Sequence, residues 1–151
     1  MDGISDSLSD HFVIGFTCGA MDLLHAGHVL MLKEAKACCD YLIVGLHTDP
    51  AIDRPEKNSP IQSIEERMVQ LEGCLYVDRI IKYKTEDDLY RLLSKLSSDY
   101  PNFVRIIGKD WEGKEFTGCD LPIQLIFNSR THNYSSSELR RRIYEAEKET
   151  G

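Results

Sequence analysis

Two histidines, His25 and His28, stand three residues apart in the run Asp22-Leu-Leu-His25-Ala-Gly27-His28, directly after the apolar stretch Phe12-Val-Ile-Gly-Phe16. This order reads as a strand handing over to a helix. A helix start carries roughly half a positive charge and several unpaired N–H groups, so an anion is stabilised there before any side chain contributes. Gly27 lets the backbone come close to a ligand. Residues i and i+3 share a helix face, so the spacing predicts both imidazoles in one pocket, donating to oxygens whose charge rises during phosphoryl transfer. A single histidine is most often an ordinary core or surface residue. The strand, the glycine and the second imidazole together favour the chemical reading.

A second anion site is predicted at Ser135-Ser-Ser-Glu138, where Ser135 at an N-cap and Glu138 three residues later form a capping box before a helix carrying Leu139, Ile143 and Ala146. A capped helix alone would explain the pattern. Arg130, five residues upstream, and the hydroxyls of Ser136 and Ser137 add ligands for an anion at the exposed N–H groups. The run Arg140-Arg-Arg142 fans around the helix, so at most one or two can face a site and solvated charge is the plainer expectation.

The elements that must position these residues alternate. Strands are expected at Phe12–Thr17, Tyr41–Leu46, Arg79–Tyr83, Phe103–Gly108 and Gln124–Asn128. Between them Ile64, Met68, Leu71 and Leu75, and then Leu89, Leu92, Leu93 and Leu96, recur at helical spacing, each set giving one stripe against a sheet. Met68 reads as core packing. The stretch Asp49–Pro60, with three prolines, is expected to be an irregular loop. In an open parallel sheet ligands sit outside the carboxyl ends of the strands, so this loop should border the site. The alternation predicts parallel α/β units, with residues 1–11 as a polar tail and 12–147 as one domain.

At 151 residues and 42% hydrophobic, the chain can bury a substantial core without disulfides or a structural metal. A net charge of −7 argues against a general nucleic-acid binder, while 18 Lys and Arg leave enough cations for a local anionic pocket. Small-molecule partners are expected. Five cysteines, Cys18, Cys38, Cys39, Cys74 and Cys119, without C-x-x-C spacing, fit reduced thiols in a cytoplasmic compartment. The first ten residues lack the basic and apolar regions of a signal peptide, and no apolar run is long enough to span a bilayer. No histidine or carboxylate cluster marks a dedicated metal cage. Mg²⁺ carried by substrate phosphates would need none.

Four segments, in order, resemble one family. Gly19-Ala-Met-Asp-Leu-Leu-His-Ala-Gly-His28 resembles the HxGH signature of the cytidylyltransferase-like nucleotidyltransferases. Leu75-Tyr-Val-Asp-Arg-Ile-Ile81 resembles its YVD strand entry, Gly108-Lys-Asp-Trp-Glu-Gly-Lys114 its GxDWEGK loop, and Arg130-Thr-His-Asn-Tyr-Ser-Ser-Ser137 its RTxGIST segment. The resemblance spans residues 12 to 145 and implies a single-domain, Rossmann-like doubly wound parallel sheet. It implies that His25 and His28 serve the α-phosphate and leaving oxygen, that Arg130, Ser135 and Ser136 hold the β and γ phosphates, and that Lys57 reaches the α-phosphate as a mobile charge.

Gly19, Ala20, Met21, Gly27 and Asp110 fall at nucleotide-binding positions of that pattern. Arg67 is a phosphate candidate by resemblance and an ordinary exposed helix residue otherwise; Trp111 is a nucleotide or acceptor contact, or packing. The pattern usually has Thr and Phe where this chain has Ala20 and Met21, and Glu-Gly where it has His132-Asn133. The Trp-Glu-Gly-Lys loop is most similar to the glycerol-3-phosphate cytidylyltransferases, which implies CTP and sn-glycerol 3-phosphate as substrates, CDP-glycerol and pyrophosphate as products, Mg²⁺ as cofactor and a homodimer. Adenylyl transfer from ATP onto a sugar phosphate or flavin mononucleotide is the alternative within the same framework, and an inactive nucleotide-binding module the alternative outside it.

Overall fold

The computed structural model describes residues 11–150, and all but the last residue of the expected tail lies outside the described residues. Five strands, β1 (Ile14–Gly19), β2 (Tyr41–His47), β3 (Arg79–Tyr83), β4 (Phe103–Gly108) and β5 (Gln124–Asn128), form one parallel sheet in the order β3-β2-β1-β4-β5. Helices α1 (Ala26–Ala37), α2 (Ile64–Glu72), α3 (Glu86–Asp99) and α4 (Ser136–Thr150) accompany it. A parallel sheet is stable when both faces are covered, which requires strands apolar on both sides. Accordingly Leu42, Val44, Leu46 and Ile106 pack under α1 and α2, against Leu32, Ala35 and Leu71. Ile14, Phe16, Ile43 and Phe103 meet Leu89, Leu93 and Leu96 of α3 on the other face. Each such buried leucine contributes ~1.5–3 kcal/mol of transfer free energy. The fold is the expected doubly wound α/β sheet.

Local departures have identifiable causes. Strand β1 begins two residues later than expected because the Val13 N–H is taken by the Asp40 carboxylate at 2.8 Å, leaving the ladder to start at Ile14. Helix α2 ends at Glu72 with Gly73 as its C-cap, so Leu75 falls outside the helix and is 86% exposed. Helix α4 buries no residue at all, and its expected stripe is not a core face; Ile143 lies in the open. No helix among the described residues is long and apolar enough to cross a membrane.

Strand β1 pairs with both β2 and β4, so chain crossovers leave it in opposite directions and a crevice opens at the carboxyl ends of β1 and β4. Two loops wall this crevice. One is the proline-rich segment 49–60, ordered at its start by a 3-10 turn over Pro50–Ile52 that Asp49 caps. The other joins β4 to β5 and contains the 3-10 turn Lys109–Trp111 where a crossover helix would otherwise lie.

Candidate active site

The turn between β1 and α1 is held in an unfavourable backbone conformation. Met21 and Leu23 both have φ of 53°, a region that costs a non-glycine residue about 1–3 kcal/mol and persists only where the surroundings over-determine it. They do so here. The Asp22 carboxylate accepts from the N–H groups of Ile61 and Gln62 at 2.8 and 2.9 Å, Gln62 Oε1 accepts from Leu23 N at 2.8 Å, and the Met21 side chain is buried in the core. Met21, expected at the nucleotide, therefore anchors the turn from behind.

His25 is the N-cap of α1, with extended φ and ψ of −130° and −180°, rather than a residue on the helix face. Its Nδ1 accepts from Gly27 N at 3.0 Å, and His28 Nδ1 accepts from His25 N at 3.1 Å. Two imidazoles thus make a reciprocal cap, their rings tilted by 35° with centroids 3.9 Å apart. A neutral ring whose Nδ1 accepts carries its proton on Nε2, so the hydrogen-bond pattern assigns both histidines as Nε2–H donors. Gly27 is required by this packing, since a Cβ there would lie 2.8 Å from His25 Cε1 and 3.0 Å from Tyr134 Cβ.

Burial is the main cause that lowers the His28 pKa, to about 4, with the neighbouring His25 adding to it against the pull of Asp22. His25 is also lowered, by burial first and then by His132, Arg130 and Arg142. Both rings are neutral at pH 7.

A second helix start meets the first. Ser135 caps α4, its Oγ accepting from Glu138 N at 3.1 Å; the Glu138 carboxylate turns to Arg141 instead of completing the predicted capping box. Ser136 faces back, its Oγ 3.2 Å from His25 Nε2 and 3.4 Å from the Asp22 carbonyl. With His25 protonated on Nε2, a chain runs from imidazole to hydroxyl to carbonyl. Two positive helix ends therefore converge on one cavity of about 420 Å³, which His25, Gly27, His28, Asp110, Arg130 and Ser135 line. Arg130 Nη2 donates to Tyr134 O at 2.8 Å, and Asp110 lies 3.9 Å from Arg130 Nη1.

A second cavity, of about 370 Å³, adjoins the first at Gly108 and receives Gly19, Ala20, Lys57 and Trp111. The predicted residues thus divide into two sets, one on each side of Gly108, where the sequence pattern implied one nucleotide pocket. The second cavity also gathers residues that sequence reading missed: Arg54, His47, Tyr83 and Arg105. Arg54 Nη2 pairs with Glu86 at 2.9 Å and its guanidinium lies 5.6 Å from the Trp111 ring centre. The available signal was Arg105, a charge inside the apolar run Phe103-Val-Arg-Ile-Ile, where a cation is rare unless it serves something. The fold also brings His47, Asp53 and Glu86 within 4.8 Å of one another, a trio no sequence spacing announced. The Arg54 pairing with Glu86 works against a cation there.

Arg67 and the arginine run correct the sequence expectation. Arg67 is 2% exposed and lines neither cavity; Nη1 donates to Ala20 O and His47 O at 3.0 and 2.7 Å, Nη2 to Thr48 O at 2.6 Å, and Nε to Gln62 O at 3.2 Å and Ser63 O at 3.3 Å. It is neither exposed nor poised for phosphate, because carbonyls hold every part of its fork. Arg140, expected in solvent, reaches Asp22 at 3.3 Å and Ser59 O at 3.0 Å, tying α4 to the strained turn. Arg142 borders a side cavity with His25 and His132.

Residues 16–142 match the cytidylyltransferase-like family. The chain is 36% identical over 132 residues to a glycerol-3-phosphate cytidylyltransferase of Staphylococcus aureus, covering 85% of this chain and 92% of that protein. It is 43% identical over 109 residues to the bifunctional protein HldE of Wolinella succinogenes, covering 72% of this chain and 22% of that protein, so it spans less than a quarter of that relative. Among solved structures, a lipopolysaccharide core biosynthesis protein from Thermoplasma volcanium superposes with a TM-score of 0.63 at 23% identity, over 80% of this chain and 98% of that one. This likeness concerns the fold. Matched over most of its length, and folded as that family is, the chain belongs to the cytidylyltransferase-like nucleotidyltransferases.

Proposed function

We propose that the chain joins a nucleoside triphosphate to a phosphorylated small alcohol and releases pyrophosphate. The observation that carries this reading is the reciprocal histidine cap at two converging helix starts, which fixes the protons of both neutral rings on Nε2, with that of His25 held by Ser136 Oγ until a phosphate oxygen takes its place. An oxygen of the acceptor phosphate attacks the α-phosphorus, a new P–O bond forms, the bond to the bridging oxygen breaks, and the electron pair leaves with pyrophosphate. Such a reaction needs positioning and charge stabilisation and no protein nucleophile. His25 and His28 donate to the α-phosphate and leaving oxygens as charge develops, each such donor contributing ~2.7–4 kcal/mol. Arg130, Ser135, Ser136 and the N–H groups of α4 hold the distal phosphates. Lys57, from the proline-rich loop, lines the second cavity, and its flexible stem lets it serve the α-phosphate as a point charge.

The nucleotide lies in the cavity of Gly27 and Asp110, the acceptor in that of Gly19, Ala20 and Trp111. Asp110, exposed and only 3.9 Å from Arg130, is the carboxylate of the nucleotide cavity that would hold, through water, an Mg²⁺ carried by the phosphates, while Glu34 is engaged by Ser129. There it would offset phosphate charge.

For the substrates, the 36% identity to a glycerol-3-phosphate cytidylyltransferase across nearly its whole length supports CTP and a glycerol 3-phosphate-like acceptor, giving CDP-glycerol with the parent compound. Transfer from ATP onto a larger sugar phosphate is the second reading, favoured by an acceptor cavity of about 370 Å³ lined by Arg105, Ile106, Ile107 and Gly108 of β4. A pyrophosphate-release screen crossing four nucleoside triphosphates with a panel of alcohol phosphates tests the reading; no release with any pair refutes it. By the same family kinship we propose a homodimer, tested by sedimentation.

A further inference from the structure

The lining of the acceptor cavity carries a charge with no ion pair among the described residues. Arg105 is 4% exposed, lines this cavity, and lies three residues before Gly108 on β4. A guanidinium has five N–H groups and stays charged at any working pH. This one donates through Nη1 to the Thr117 carbonyl and approaches Cys18 Sγ at 3.9 Å, with Phe116 over its face at 5.1 Å. Glu86, the carboxylate in the same cavity, is already engaged by Arg54 at 2.9 Å and Thr117 Oγ1 at 3.1 Å, and no ion pair joins it to Arg105 among the described residues. Nη2 has only the distant Cys18 Sγ, and Arg105 lines the cavity, so the guanidinium still has weakly used N–H groups beside that space.

A purely structural Arg105 would fasten the β4–β5 loop through Thr117 and Phe116. That task uses one N–H and one face. It leaves the fork unexplained, and a buried cation without an anion weakens the fold unless something supplies the charge. A guanidinium fork matches a carboxylate or phosphate in two parallel hydrogen bonds.

We infer that Arg105 receives a second acidic group at the end of the acceptor away from the reacting phosphate, so that among glycerol 3-phosphate-like acceptors those carrying a carboxylate or second phosphate at that end bind more tightly than those ending in a neutral polyol. The inference rests on the proposed transfer for which end faces the nucleotide: the reacting phosphate must lie at the junction near Gly108, and Arg105 is then the cation left for the far end. The shared chemistry is an oxyanion, supplied by a carboxylate or by a second phosphate. Lys57, which lines the same cavity, goes with the reacting end by its proposed role at the α-phosphate.

The chain has one tryptophan, and Trp111 lines this cavity, so acceptor binding can be read by its fluorescence without turnover. Matched pairs isolate the acidic end: glycerol 3-phosphate against 3-phosphoglycerate, erythritol 4-phosphate against 4-phosphoerythronate, glucose 6-phosphate against 6-phosphogluconate, and fructose 6-phosphate against the 1,6-bisphosphate as the second-phosphate arm. In the best-fitting pair the acidic member should bind at least ~10-fold more tightly, the scale of a charge-assisted hydrogen bond. Arg105→Gln should bring that ratio to near unity, while Lys57→Gln should weaken both members alike. Should Arg105→Gln fail to fold, Arg105→Lys, which keeps the charge and loses the fork, should lower the ratio. Equal affinity within every pair in the unaltered protein overturns the inference, as does a preference that survives loss of Arg105. Tight binding of an acidic acceptor with no pyrophosphate release from any nucleotide would refute the transfer reaction and leave the acid-binding site standing.

Discussion

Replacing Arg67 distinguishes a ligand for phosphate from a brace for the site. Its guanidinium donates to five carbonyls, those of Ala20, His47, Thr48, Gln62 and Ser63, which lie in the strained turn, at the end of β2, and at the start of α2. Arg67→Ala removes charge-assisted bonds of roughly 1.5–3 kcal/mol each in isolation, and the two weaker Nε contacts share one donor. The carbonyls nearest the surface regain water. About 3–5 kcal/mol of net destabilisation is expected, the scale of breaking a buried charged network, against a total stability of about 5–15 kcal/mol for a domain. Urea unfolding followed by circular dichroism should show the midpoint falling at constant slope, and the melting temperature should drop by roughly 10 °C. Arg67→Lys should recover only part, because a single ammonium cannot span three segments. Stability within about 1 kcal/mol of the unaltered protein, with a raised KM for nucleotide alone, would refute this reasoning and restore Arg67 as a phosphate ligand.

The His28 pKa, about 4 in the fold against an ordinary 6.5, sets a pH dependence of stability. Between these values the unfolded chain binds a proton that the folded chain refuses, so the stabilisation is full above 6.5 and is lost as pH falls toward 4, roughly 3 kcal/mol at 1.36 kcal/mol per pH unit; urea titrations at several pH values in the unaltered protein and His28→Asn should differ by this slope. Limited proteolysis within Asp49–Pro60 should slow in saturating nucleotide and Mg²⁺ as Lys57, which lines the acceptor cavity, is drawn to the α-phosphate; unchanged cleavage would place the loop outside the phosphate site. CTP should exceed ATP in kcat/KM with glycerol 3-phosphate, by up to several kcal/mol if the cytosine edge is hydrogen-bonded; a preference for ATP with any acceptor would remove the cytidylyl assignment and leave the histidine chemistry intact.

The sheet was legible because burial on both faces forces continuous apolar strands, and β3, β4 and β5 fall within the expected residues. The ends of elements were less so. Val13 belongs to β1 by composition, but its N–H is claimed by Asp40, a contact 27 residues away that no local pattern announces. The histidine pair was found for the right reason and placed in the wrong geometry. Periodicity put His25 on a helix face, whereas its imidazole accepts a backbone N–H and so takes the cap, as serine would. Arg67 looks like any helix arginine in sequence, since its burial depends on carbonyls from Ala20, His47 and Thr48 that only the tertiary fold brings near. Resemblance named most residues around the crevice but could not divide them between two cavities, because that division depends on the paths of the 49–60 and β4–β5 loops.

The central claim is that two neutral imidazoles, fixed as Nε2–H donors, stabilise charge that develops at the α-phosphate. Its most direct test is kcat for pyrophosphate release, at saturating nucleotide and acceptor, in His25→Ala and His28→Ala with folding verified by circular dichroism. Each substitution should lower kcat by ~10²–10³-fold, the loss expected for one preorganised donor, with the KM values changing far less. Near-normal kcat in both variants would contradict the account.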